Sequence, residues 1–237
     1  MVAAVVLMVG LPASGKTTTA ERLHAYAGGV LIRSCDVYQA LGISLPNWVR
    51  WTEGFSRDVA LYERVRDEAY SEMARRLRSA LQSQSGFVVV DAVHAERAKR
   101  ALMYEVCRTH GAMPTLLWCR CDDPVEVRRR IEARQGREDD VKNEASDLSV
   151  FRHISSLWED PRSDALVQDG WISLLVYDTK GGTVSVAAGA GTPIVDVVNA
   201  GLRARASSPD RARPRPSDTE LAPADGAWAG AGPAESG

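Results

Sequence analysis

The sequence predicts an α/β protein: a mainly parallel central sheet with helices on both faces. Three observations carry that prediction. Apolar runs of strand length alternate with helical stretches along most of the chain. The first run, "VAAVVLMV" at 2–9, is continuously apolar and rich in valine, as a strand buried on both faces must be. It ends in a glycine loop that leads straight into a helical stretch, "KTTTAERLHAYA", stopped by Gly28 and Gly29.

The remaining elements follow in order. "VLIRSCD" reads as a second short strand, with a helix starting near Val37. Residues 39–57 mix Gly, Pro, Trp and Ser and read as irregular. From Asp58 to Ser83 an apolar residue recurs at helical spacing (Leu61, Val65, Ala69, Met73, Leu77, Leu81). "FVVVDA" after Gly86 is the most strand-like segment of the chain. "ERAKRALMYEVCRTHG" is helical and ends at Gly111; "MPTLLWCRC" is a strand. "DPVEVRRRIEARQ" opens on Asp-Pro, a helix-start signal. "LSVFRHISSLWED" is a short helix, "WISLLVYDT" the last strand, and 192–204 a closing helix. The organisation expected is one domain over 1–204, with a helical lid at about 124–147. Residues 205–237 form a disordered Pro/Ala/Gly-rich tail with almost nothing to bury.

Composition narrows the function classes. A net charge of −2 does not suit a non-specific binder of polyanions. Arginine supplies nearly all the positive charge, the lysines being Lys16, Lys99, Lys142 and Lys180. Cys35, Cys107, Cys119 and Cys121 form no CxxC pair and lie near no histidine at ligand spacing, so free thiols in a reducing cytoplasm are expected. The N-terminal run lacks a basic flank and meets Gly10 early, and no apolar run approaches the ~20 residues that span a bilayer. A cytoplasmic protein without membrane partners is expected.

The chemistry begins at Gly10-Leu-Pro-Ala-Ser-Gly15-Lys16-Thr17, which fits G-x-x-x-x-G-K-[ST], the P-loop. Its backbone N–H groups (Gly10, Ala13, Ser14, Gly15 and on to Thr18) cradle phosphate oxygens at a helix N-terminus. Lys16 reaches the outer phosphates and the Thr17 hydroxyl ligates Mg²⁺. The fold class sharpens to a three-layer P-loop NTPase with ATP and Mg²⁺ as cofactors and a small arginine-bearing helical lid. A GTPase wants Asn-Lys-x-Asp, which the chain lacks; a ring-forming motor wants more chain after the loop. A small kinase remains. Asp36 then serves as the carboxylate that takes the acceptor hydroxyl's proton, or as a helix N-cap. Asp91 closes a buried strand where a Walker-B-type carboxylate meets Mg²⁺, or simply ends the strand. Arg130 and Arg134, four apart, neutralise charge from the lid, or form a solvated basic face. His94 is structural or lines the substrate.

Taken in order, "GLPASGKTTTAERL", "CDVYQALG", "VVVDAVH" and "EVRRRIEARQGREDDVKNEASD" resemble the P-loop small-kinase family over about residues 4–180. That family includes polynucleotide kinase 5′-kinase domains, chloramphenicol phosphotransferase and zeta-type toxins. The resemblance implies a catalytic aspartate at Asp36, the Walker pair at Lys16 and Thr17, and lid arginines at Arg130 and Arg134. Polynucleotide kinases commonly carry an arginine three residues after the catalytic aspartate; here Gln39 stands there. A small hydroxyl-bearing acceptor is therefore favoured over nucleic acid. The stretch "SLPNWVRWTEGFSRD" falls where the acceptor pocket is expected; Trp48 and Trp51 line it or pack under a loop. The rival expectations are a polynucleotide 5′-hydroxyl kinase tracking a backbone with Arg75, Arg76, Arg78, Arg97 and Arg100, a toxin acting on a nucleotide sugar, and a non-catalytic ATP-binding switch or adaptor.

Overall fold

The structure is a computed structural model that describes residues 3–42, 59–133, 148–189 and 193–203. The predicted tail, Trp48, Trp51, Arg134 and most of the predicted lid lie outside the described residues. The elements are β1 (Ala4–Val9), α1 (Lys16–Ala27), β2 (Val30–Arg33), α2 (Ser34–Ala40), α3 (Val59–Gln82), β3 (Phe87–Asp91), α4 (Arg97–Thr109), β4 (Pro114–Arg120), α5 (Pro124–Glu132), α6 (Leu148–Ser156), a 3₁₀ turn (Pro161–Ser163), α7 (Ala165–Gln168), β5 (Ser173–Asp178), β6 (Thr183–Ala188) and α8 (Pro193–Arg203).

The sheet order is β2-β3-β1-β4-β5-β6. The first five strands are parallel and β6 runs antiparallel to β5. The valine run explains why β1 sits in the middle: Val5 to Val9 are all fully buried, so the strand needs cover on both faces. Val5, Leu7 and Val9 face a core shared with α3 and α4; Val6 and Met8 face one shared with α1 and α8. The parallel pairing of the first five strands puts their C-terminal ends on one edge, where open α/β sheets bind ligands.

Two expectations need correction. The second strand stops at Arg33, and Ser34-Cys35-Asp36 form the first turn of α2 instead of continuing it. The register explains the change. Arg33 pairs with Asp91, the last residue of β3, so beyond it no neighbouring strand offers a ladder. Ser and Asp suit the first turn of a helix, where the macrodipole favours negative charge. The second correction is β6, an edge strand beyond the one expected to be last. Gly181-Gly182 followed by alternating Val184 and Val186 is the hairpin signal for it. The Asp-Pro helix start holds: Asp123 caps α5 by accepting from Val125 N (2.9 Å) and Glu126 N (3.3 Å). None of the helices in the described residues is long and apolar enough to cross a membrane.

Candidate nucleotide and acceptor site

The loop between β1 and α1 is shaped by close backbone approaches. Gly10 sits at φ +148°, and a Cβ there would lie 2.4 Å from the Cys119 carbonyl oxygen of β4. Its N–H donates to Val93 O (3.1 Å), which ties the start of the loop to the segment after β3. Gly15 (φ +90°) begins α1 as its N-cap, and Ala13 takes a left-handed φ of 61°. A non-glycine residue held there stores about 1 kcal/mol or more of strain, which the surroundings must overcome.

Inside this loop Lys16 is nearly buried and its Nζ donates to Leu11 O (2.8 Å). The Ser14 Oγ is buried without a hydrogen-bond partner. Asp91, at the end of β3, is 4% exposed. Burial pushes its carboxyl above the usual carboxylate range, opposed by the Lys16 charge and a hydrogen bond from Thr17. A buried carboxylate beside an exposed threonine hydroxyl fits Mg²⁺, which keeps most of its ligands as water and phosphate and asks the protein for one or two oxygens. Among the described residues no group of three His, Cys, Asp or Glu side chains could hold a metal. Thr17 and Asp91 are therefore the residues that would hold the ion, and Ser14, Lys16 and the loop amides those that would hold phosphate.

Asp36 lies in the first turn of α2, at the neighbouring strand end. The N-cap role is overturned: Arg33 is the N-cap, and Asp36 is inside the helix. Its carboxylate instead accepts two bonds from the Arg33 guanidinium, Nε to Oδ2 (2.7 Å) and Nη2 to Oδ1 (2.9 Å). Arg33 also reaches Glu21 of α1 (3.3 Å). Burial is the main cause that lifts the Cys35 thiol to about 11, and Asp36 and Asp91 both add to it. The two carboxylates thus act on one small region. Gln39 is exposed, one turn further along α2, on the same face as Asp36.

His94 does not line the site. It is fully buried, its Nδ1 bonds Met8 O (2.7 Å), and its N–H donates to the Tyr70 hydroxyl (3.0 Å). Burial holds its pKa down at about 4, so the ring is neutral at pH 7. Its role is to fasten the segment after β3 to β1. Arg130 shows a second difference. Its guanidinium is 19% exposed, pairs with Glu126 (2.7 Å), and donates to Ala13 O (3.2 Å) and Thr179 Oγ1 (2.9 Å). In this state it braces the strained residue of the loop. Arg134, the other arginine expected there, lies outside the described residues.

Two partners were not foreseen. Arg33 precedes Asp36 by three residues, a pairing visible only once the helix starts at Ser34. Thr179 is the other: its Oγ1 donates to Arg120 O (3.0 Å) while accepting from Arg130, joining β4, β5 and α5 at one hydroxyl. Beside it a cavity of about 340 Å³ opens between Gly15, Thr18, Arg22, Arg130, Tyr177 and Thr179.

With this geometry established, comparison with known proteins is informative. A model of the AAA domain family matches residues 5–153, well over half of the chain. The chain belongs to the AAA domain family. A curated relative is the rat 6-phosphofructo-2-kinase/fructose-2,6-bisphosphatase 1, 26% identical over 132 residues. That match takes in 54% of this AAA-domain chain but only 27% of the rat enzyme, so the chain spans about a quarter of its relative. Among solved structures, a sugar kinase from Janibacter sp. HTCC2649 superposes with a TM-score of 0.54 at 16% identity, covering 84% of this chain and 92% of that one. Kti12 of Chaetomium thermophilum, in complex with ADP-AlF3, gives 0.50 at 18% identity over 74% and 89%. At these identities the likeness concerns the fold, which this AAA-domain chain shares with the P-loop small kinases, as its ordered motifs suggested.

Proposed function

We propose that the protein is an ATP- and Mg²⁺-dependent kinase that transfers the γ-phosphate to a hydroxyl of a small-molecule acceptor. The observation that carries this is the convergence at one sheet edge: Lys16, Thr17 and buried Asp91 meet beside the Asp36-bearing turn of α2. The cavity at Gly15, Thr18 and Thr179 suits the nucleoside, on the far side of the loop amides that take the phosphates. Lys16 gives up Leu11 O to reach a phosphate oxygen. Thr17 and Asp91 would hold Mg²⁺, which supplies charge neutralisation between the outer phosphates. Asp36, its charge buffered by Arg33, accepts the acceptor's proton as the acceptor oxygen bonds phosphorus. The bond from phosphorus to the bridging oxygen breaks and ADP leaves. That the sugar kinase and the rat enzyme carry kinase names supports the same reaction type.

Part of the basic surface that the nucleic-acid alternative needs is engaged within the fold. Arg75 and Arg76 both pair with Glu72, and Arg100 is fully buried against Asp164. Arg100 is thereby withdrawn from any phosphate backbone, while Arg75 and Arg76 share a single carboxylate.

The test is phosphate transfer from γ-labelled ATP to a panel of nucleosides, sugars, aminoglycoside and phenicol antibiotics, and 5′-hydroxyl oligonucleotides. Lys16→Ala lowers turnover by at least about 10²–10³-fold, since one preorganised donor of this kind is worth about 3–4 kcal/mol. Asp36→Asn leaves a trace, about 10²–10⁴ below wild type. Wild-type rates from both variants, or tight ATP binding with transfer to no acceptor, overturn the proposal.

A further inference from the structure

A second cavity, of about 150 Å³, lies on the other flank of the phosphate loop. Leu11, Pro12 and Ser14 of the loop form one side; Trp118, Phe151 and Trp158 form the other. Of these lining residues the proposed mechanism uses only Ser14, on the phosphate side. We infer that this pocket seats a neutral, six-membered-ring portion of the acceptor. This rests on the kinase reading and names the substrate class for it.

Size is the first argument. An apolar protein cavity of about 150 Å³ is large enough to take benzene. A single ring fits the space. Rigidity is the second. The Trp118 ring is held by two guanidiniums, Arg120 at 5.0 Å and Arg162 at 5.5 Å from its centroid, and meets Trp158 at 5.5 Å with a 32° tilt. Trp118 is 9% exposed, so the wall is fixed before any ligand arrives.

Charge is the third argument, and it selects against anions. The guanidinium that lines the pocket, Arg120, is already paired with Asp122 (2.5 Å), and Arg162, against the Trp118 ring, is paired with Asp160. An anionic ring would lose water without gaining an unpaired cation from these two. A neutral ring buries its faces against tryptophan and phenylalanine at no such penalty. Because the pocket shares Leu11, Pro12 and Ser14 with the loop, its occupant sits beside the phosphate cradle.

The test uses three probes on the full chain: benzyl alcohol, cyclohexylmethanol and benzoate, followed by saturation-transfer NMR titration. Both alcohols bind saturably, and benzoate at least about tenfold more weakly. Cys121→Phe places a side chain from the half-buried pocket rim into the space and weakens both alcohols at least about tenfold. Retained binding of a fluorescent ATP analogue shows that this variant is folded. If it is not, Trp158→Ala, which removes one wall, is read in its place with the same expected loss. Benzoate binding as tightly as the alcohols, or unchanged alcohol binding in the variant, overturns the inference. Lost ring binding beside intact phosphate transfer refutes the pocket alone, and ring binding without transfer to any acceptor refutes the kinase reading alone.

Discussion

Removing the carboxylate of Asp164 is expected to be among the most damaging single changes outside the nucleotide site. Arg100 is fully buried, and four of its five N–H donors are engaged: Nε and Nη2 each donate to Asp164 at 2.7 Å, while Nη1 donates to His94 O and Ala95 O at 2.9 Å. The Tyr104 hydroxyl also donates to Asp164 (2.8 Å). Asp164→Ala therefore strands a buried cation and a buried hydroxyl together. Breaking a buried pair by deleting one partner costs about 3–5 kcal/mol. Total stability of a domain is only about 5–15 kcal/mol. For a chain of this size each kcal/mol moves the melting temperature by about 2–4 °C, so a drop of roughly 6–20 °C is expected. Thermal and urea unfolding followed by circular dichroism measure it. Asp164→Asn keeps an acceptor for Tyr104 and falls between the two. The double change Arg100→Met with Asp164→Leu, which leaves no charge behind, recovers at least half of the loss. A melting shift below about 2 °C for Asp164→Ala would refute the reasoning, because the arginine would then have found water or another partner.

Two further outcomes follow from the shifted carboxyl groups. Burial raises the Asp91 pKa, so the ionised form is disfavoured in the metal-free fold and the side chain's contribution to stability falls as pH rises through its folded value. Asp91→Asn should raise the melting temperature of the metal-free protein at pH 8, have little effect below about pH 4 where carboxyls are protonated in both states, and weaken Mg²⁺-dependent nucleotide binding; a lower melting temperature at pH 8 contradicts this. Glu126 is pulled the other way, to about 2, by hydrogen bonds from Arg129 and then Arg130. Its stabilising contribution is present above the ordinary glutamate value and is lost only as pH falls toward 2, so NMR titration of its side-chain carboxyl should show a midpoint well below that of a free glutamate and move upward in Arg130→Ala. An ordinary midpoint in the wild-type chain would show that the bracing of the loop by Arg130 through α5 does not persist in solution.

The parts of the fold legible in the sequence are those set by burial on both faces. β1 and β3 are uninterrupted apolar runs, and every residue from Val5 to Val9 and from Phe87 to Asp91 is buried, so pattern and environment agree. β6 was missed because its environment gives no such pattern. It is an edge strand with most side chains exposed, and only the paired glycines before it announce a hairpin. The end of β2 was missed for a topological reason. Its last ladder partner is Asp91, and no local property of Ser34 or Cys35 reveals where a neighbouring strand ends.

The same distinction divides the site. A P-loop is legible because its requirements are local: glycines at Gly10 and Gly15, where a Cβ would strike Cys119 or press on Thr179, and a lysine and a threonine on the helix that follows. Arg130 lies on a helix, as the Asp-Pro start predicts, yet its partners lie at Ala13 and Thr179, more than a hundred residues back and about fifty forward. Helical spacing says which side chains share a face but not what that face meets. His94 makes the point in reverse, since its polar ring beside Asp91 suggests a site residue and only the Met8 carbonyl, eighty-six positions away, shows it to be a fastener. Roles that depend on what a side chain can reach within its own segment can be read from order alone. Roles that depend on which distant carbonyl or carboxylate closes around a charge become visible only when the sheet has brought the strand ends together.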